Sequence, residues 1–284
     1  MRAVDLYEKL EKDFVKPDME EDWFEYMGEV ESYVCENFKQ RSIGLVCDFA
    51  DEINKVYTAV FPSDKVINRI LENGTTNAML FVHHAADWDL SKDPNIAFYQ
   101  MNTELLEKLK ERKISVFNYH YPLDNFSKYS TSKTLADALG ITITDQFAEF
   151  SGAVCGVIGT TDCKDVHELN QKYSQAVGHE TKLYQYGSDE IRNSIVGVCA
   201  GGGNDPGVVN ELIKKDINVL VTGLSVINAY TGEAHKLEKE NNINLLGGTH
   251  YSSEKFACIE ICKYFAKLGI EAEFLDDVPC LLDL

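Results

Sequence analysis

Four of the seven histidines in this 284-residue chain fall where strands end or helices begin. His83 and His84 are adjacent, directly after the apolar run Met79-Leu80-Phe81-Val82. His120 opens the segment His120-Tyr121-Pro122-Leu123-Asp124, which sets an imidazole and a carboxylate four residues apart with a proline stiffening the turn. His250 and Glu254 stand at i and i+4 in GGTHYSSEKF, so on a helix both point the same way, and the two preceding glycines let backbone approach closely. Imidazoles and carboxylates in this mixture suit zinc, manganese or iron, and the oxygen content would let two ions share a bridging group. The same spacings also suit blander roles. A His/Glu pair at i,i+4 makes a local ion pair, and a single histidine is commonly just hydrogen-bonded. Spacing alone does not bring the sites together.

The elements that must position these residues alternate between strand and helix. IGLVCDF, NKVYTAVF, AMLFVHH and ISVFNYH read as strands. SDKVINRILENG reads as a helix capped near Pro62-Ser63 and ended at Gly74, and NTELLEKLKERK as one capped by Asn102. Strands follow near ITITDQFAEF, GAVCGVIGT, TKLYQYG, SIVGVCAGG, INVLVTG and INLLGG, with helices in VHELNQKYSQAVG, DPGVVNELIKKD, Gly232 to Asn241 and Tyr251 to Leu268 between or after them. This predicts an α/β (α+β mixed) chain with mixed sheets and helices packed outside, its two α/β repeats intertwined and the site at strand ends between the lobes. The domain reading is an N-terminal helical extension over 1–42, a first lobe over 43–150 and a second over 151–284. In the extension, the apolar residues of DWFEYMGEVESYVCENF recur at helical spacing.

The glycine-rich turn CAGGGNDPG has Asp205 as N-cap and Pro206 at the first helical position. It lacks the pattern of a dinucleotide fingerprint and the lysine of a P-loop. It reads as a tight turn packed under the pocket, with anion binding by its bare amides as the alternative. Cys199 beside it reads as buried, and His167, His179 and His235 as surface or cap residues, with His235 alone placed to approach the pocket. Trp88, Met101 and the aromatic residues just before it read as pocket wall or core.

Composition narrows the functions further. With 46 acidic against 27 basic residues, a formal charge of −19 disfavours nucleic acid and anionic membrane surfaces. The 44% hydrophobic content suffices for a sizeable core. MRAVDLYEKLEKDF lacks the apolar run of a signal peptide, no stretch reaches spanning length, and the expected location is cytoplasmic. Eight cysteines without a CxxC pair indicate neither a disulfide framework nor a structural zinc site.

In order, FVHHAADWD, HYPLD, GAVCGVIG, VGVCAGGG, VLVTG and GGTHYSSEKF resemble the family of GTP cyclohydrolase I type 2 homologues, from about Ile43 onward. That resemblance implies two divalent metal ions per chain (Zn, Mn or Fe) held by His83, His84, Asp124, His250 and Glu254. It places His120 beside them for proton transfer or substrate contact. It also implies a metal-dependent hydrolase acting on a nucleotide, phosphoester or cyclic amide, and trimers stacked face to face into a hexameric toroid. The alternative is a non-catalytic metal-binding ring serving as a regulatory or partner-binding platform or as a metallochaperone. Ala85 stands where the family commonly has proline, Leu224 where it commonly has an acidic residue, and the first forty residues do not match its usual start.

Overall fold

A computed structural model describes residues 1–92 and 98–284. The chain forms two compact units, one of Met1–Leu123 with Cys258–Asp277 and the other of Asp124–Ala257 with Val278–Leu284.

Along the chain, the first unit begins with α1 (Ala3–Phe14), two short 3-10 turns at Trp23–Tyr26 and Gly28–Tyr33, and α2 (Glu36–Arg41). There follow β1 (Gly44–Cys47), β2 (Lys55–Ala59), α3 (Asp64–Glu72), β3 (Ala78–Val82), the short pair β4 (Asp87–Trp88) and β5 (Phe98–Tyr99), α4 (Thr103–Glu111) and β6 (Ile114–Asn118). The caps are where side-chain chemistry puts them: Ser63 accepts from the Val66 amide and Asn102 from that of Glu104. The one-turn helix α5 (Tyr121–Asp124) ends the passage.

The second unit holds α6 (Thr131–Ala138), β7 (Thr142–Phe150), β8 (Ala153–Thr160), α7 (Val166–Val177), β9 (Lys182–Tyr184), β10 (Ile195–Cys199), α8 (Pro206–Lys214), β11 (Val219–Thr222), α9 (Gly232–Asn241) and β12 (Asn244–Gly247). The long helix α10 (His250–Lys267) carries the chain back to the first unit, the division falling between Ala257 and Cys258, and β13 (Glu271–Phe274) is added there.

The first unit's sheet runs β1-β6-β3-β2-β13, parallel except for β1 against β6. Its central strands β3 and β6 are buried along their whole length, as expected of parallel strands covered on both faces. Val46, Leu80, Val82 and Val116 share one apolar cluster with Ile67 and Ile70 of α3 and Leu105 and Leu109 of α4. The second unit's sheet runs β7-β8-β10-β11-β12-β9, with a parallel core of β10, β11 and β12 and antiparallel flanks. The architecture is therefore mixed α/β with mixed sheets, as the strand and helix pattern predicts. Among the described residues, no helix is long and apolar enough to cross a membrane.

The N-terminal reading needs correction. The stretch from Trp23 to Tyr33 forms 3-10 turns where the periodicity predicts a continuous helix. Trp23, Met27, Val30 and Val34 are nonetheless buried in the first unit's core, so the spacing found the buried face but not the winding. Gly28 interrupts the run, and a 3-10 turn aligns residues three apart much as an α-helix aligns those three or four apart. Helix α6 and strand β13 were not legible from the pattern.

Candidate metal centre

β3 ends at Val82 and the chain bends through His83 and His84, the His83 amide donating to Ala59 (3.1 Å) and that of His84 to Val60 (2.9 Å). Consecutive amides facing one neighbouring segment end the alternation that would part the two side chains. Their centroids lie 4.4 Å apart, tilted by 68°. One of the two rings is also anchored. His83 Nδ1 lies 2.9 Å from the Tyr119 carbonyl oxygen, which can only accept, so Nδ1 carries the proton and Nε2 the lone pair. Asn118 Nδ2 in turn donates to the His83 carbonyl at 2.6 Å. His120 completes the group, with ring centroids 5.1 Å from His83 and 4.8 Å from His84. One ring nitrogen of each of the three lies within 4.8 Å of the other two.

Around this group stand flat aromatic faces. Phe61 stacks on His84 at 4.7 Å, and Trp88 packs on Phe98 at 4.9 Å. Trp23, from the N-terminal segment, meets His84 edge-on at 5.3 Å and His120 at 5.1 Å. The same segment brings in Glu21, whose carboxylate accepts from His120 Nδ1 (2.6 Å), Trp23 Nε1 (2.6 Å) and the Tyr121 amide (3.1 Å). Sequence reasoning missed Glu21 and Trp23, since they precede His120 by about a hundred residues and no local spacing marks them.

In the second unit, His250 opens α10 and Glu254 follows one turn later, with Nε2 to Oε1 at 3.4 Å. An oxygen of Asp124 lies within 4.8 Å of one of Glu254, and Asp124 also accepts from the Thr131 hydroxyl at 2.5 Å. The glycine-rich turn after β10 seats this group. The Gly201 amide donates to Ser253 Oγ (2.9 Å), that hydroxyl donates to the His250 carbonyl (2.9 Å), and the Gly201 carbonyl accepts from Leu224 (2.8 Å). Gly201 has φ +63°, and a Cβ built there would lie 2.0 Å from Glu254 Oε1 and 3.1 Å from His250 Nε2. The bare backbone is thus the wall against which the carboxylate rests. Asp205 caps α8, accepting from the Gly207 amide at 2.7 Å, as the sequence implies. Asp283, another residue not anticipated, accepts from the His250 backbone amide at 2.7 Å and so caps α10.

The remaining candidates sort by burial. Cys199 is buried, and desolvation, reinforced by the carboxylates of Asp124, Asp205 and Glu254, drives its thiol pKa upward, which is the opposite of a nucleophile's need. Leu224 is a core residue. His167 is exposed beside Asp189, and His179 bonds the Ser252 hydroxyl at 2.8 Å. His235 departs from the surface role expected of it. It is buried, with Nε2 donating to the Ser225 carbonyl (2.9 Å) and Nδ1 3.5 Å from Glu238. Burial lowers the His235 pKa and raises that of Glu238 to about 8.

The donor chemistry fits divalent cations in each unit. In the first, the imidazoles of His83 and His84 could hold an ion, with His83 fixed as an Nε2 donor and the His120 ring converging beside them. In the second, a buried Glu254 and a half-buried Asp124 with oxygens this close repel each other unless a cation or proton lies near, and Gly201 leaves the space that Glu254 uses.

Comparison with known proteins gives a consistent picture. The Duf34/NIF3 (NGG1p interacting factor 3) family matches residues 31–278. A protein of Archaeoglobus fulgidus named GTP cyclohydrolase 1 type 2 homolog is 27% identical over 237 residues, covering 82% of this chain and 88% of its own. A Borreliella burgdorferi protein of the same name is 26% identical over 228 residues, covering 79% and 83%. Among solved structures, ybgI, described as of unknown function, superimposes with a TM-score of 0.74 at 17% identity, covering 98% of this chain and 99% of that one. Reduced HcgD from Methanocaldococcus jannaschii gives 0.65 at 20% identity, covering 98% of each chain. At those identities the structural likeness speaks for the fold.

Proposed function

The chain belongs to the Duf34/NIF3 family, and from that premise we propose that it is a metal-dependent hydrolase holding two divalent ions with His83, His84, Asp124, His250 and Glu254. The observation that carries this reading is the convergence of ring nitrogens from His83, His84 and His120 within 4.8 Å. Zinc, manganese and iron all suit such donors. A bound divalent ion supplies Lewis acidity, which brings the pKa of water toward neutrality.

The chain's own residues would do the rest. His120, its Nδ1 engaged by Glu21, exchanges protons at Nε2. Phe61, Trp88 and Phe98 exclude water around His84 and offer stacking faces to a planar heterocycle. Those faces favour a nucleotide among the substrate classes, in keeping with the name carried by the relatives. Phosphoesters and cyclic amides complete the panel to be assayed. The proposal includes assembly into a homohexamer, and a monomer mass by light scattering would refute that part.

Metal analysis of the purified protein tests the reading. Up to two divalent ions per chain are expected, lost in His83→Ala and Glu254→Ala, with turnover abolished in Asp124→Ala. Full metal occupancy in the first two variants would overturn it. A second reading, a non-catalytic metal-binding platform or metallochaperone, draws on Leu224, a buried core residue where the resembled family commonly has an acid. Metal binding without turnover across nucleotides, phosphoesters and cyclic amides would favour it.

A further inference from the structure

We infer that Glu21 is a positioning residue for His120, and that the N-terminal segment ahead of the family's match at residue 31 is thereby a working part of the site. The inference rests on the functional role proposed above for His120, but its geometry stands within the first unit alone. Glu21 is 3% exposed at its side chain, and it is held from three directions. Oε2 accepts from His120 Nδ1 and from the Trp23 indole, each at 2.6 Å, while Oε1 accepts from the Tyr121 amide at 3.1 Å. The Tyr121 contact ties the carboxylate to the backbone next to the histidine it serves. Trp23, packed edge-on to both His84 and His120, closes the arrangement.

A carboxylate at hydrogen-bond distance can only accept, so it selects the tautomer with the proton on Nδ1 and leaves the lone pair on Nε2. That tautomer is the less favoured one for a neutral imidazole in water. Without Glu21, the proton would move to Nε2 in a large share of molecules, and the ring would lose its orientation. Where a carboxylate orients a metal-ligating imidazole in this way, its removal lowers activity or metal affinity on the order of 10–100-fold, and a loss of that size is expected for the orientation of His120. Residues 31 onward contain the histidines, whereas the group that decides which nitrogen of His120 works comes from outside that span.

Nitrogen-15 NMR of histidine-labelled protein, stripped of metal and then loaded with zinc, tests this. The expected wild-type pattern for His120 is a protonated-type Nδ1 and a bare-type Nε2. In Glu21→Ala and Glu21→Gln the two resonances should converge or exchange character, while His83, whose Nδ1 is held by the Tyr119 carbonyl, keeps its pattern and reports that the fold persists. Trp23→Phe, which removes the indole donor and part of the ring but leaves the carboxylate, should leave the His120 tautomer intact. An unchanged His120 pattern in both Glu21 variants overturns the inference. Failure of the wild type to bind zinc refutes the metal reading instead, since the tautomer is read in the stripped protein as well. With a substrate in hand, Glu21→Gln should lower kcat on the order of 10–100-fold with KM nearly unchanged.

Discussion

Replacing Gly201 by alanine tests whether the backbone of the glycine-rich turn is the seat of a metal ligand. The added Cβ would lie 2.0 Å from Glu254 Oε1, 2.9 Å from its Cδ and 3.1 Å from His250 Nε2. The turn is pinned through the Gly201 amide and carbonyl by Ser253 and Leu224, so the side chain is the part free to yield. The carboxylate must retreat by roughly 1.4 Å to reach ordinary van der Waals separation. Metal–ligand distances tolerate only about 0.2 Å, so a shift of this size removes the ligand from any ion it holds. Two quantities should therefore move separately. An alanine at φ +63° costs about 1 kcal/mol in stability, about 2 °C in Tm for a chain of this size. Zinc affinity, read by competition with a chromogenic chelator, should fall at least tenfold, about 1.4 kcal/mol or more. Gly202→Ala is the matched control, because its Cβ meets only Tyr230 at 3.4 Å or beyond. If Gly201→Ala binds zinc with wild-type affinity and stoichiometry, Glu254 is not a ligand seated by that turn.

Glu238→Gln should stabilise the protein at alkaline pH. Its folded-state pKa of about 8, against 4.5 for an unperturbed glutamate, means that the folded form holds the proton more tightly. Stability is then fully present below pH 4.5 and declines as pH rises toward 8, by a few kcal/mol on the order of magnitude. Thermal melts between pH 5 and 9 should show a flatter profile and a higher Tm at pH 8 in the variant; equal slopes would refute the assignment. Asp283→Ala removes the acceptor for the His250 amide, costing about 1 kcal/mol of stability. It should speed hydrogen exchange in the first turn of α10, and unchanged exchange there would count against the cap. Cys199, buried and with its thiol pKa raised, should escape alkylation by iodoacetamide at pH 8 in the native protein, and rapid labelling would contradict its placement.

Local physics made much of the fold legible without coordinates. Apolar alternation and runs gave β2, β3, β6 and the strands of the second sheet, and the caps at Ser63, Asn102 and Asp205 follow from side chains that reach amides two or three residues away. The same short range covers His250 and Glu254, whose one-turn spacing fixes a shared helix face, and the exit of His83 and His84 from β3. What periodicity could not decide is which distant group fills each remaining valence. His83 and His84 are adjacent yet their rings meet, because the chain bends out of β3 there, and the Tyr119 carbonyl, brought alongside by pairing of β3 with β6, holds one of them. The pairing of Glu21 with His120 spans 99 residues, and the cap that Asp283 makes on α10 spans 33. A lone carboxylate carries no pattern announcing such a partner. The 3-10 winding of Trp23 to Tyr33 belongs with these, since its buried residues are evident from spacing while its turns are set by the core they pack into. Sequence determined which residues could do chemistry and which faces are apolar; tertiary structure chose the tautomers, the caps and the wall behind Glu254, because those depend on chain segments that meet only after folding.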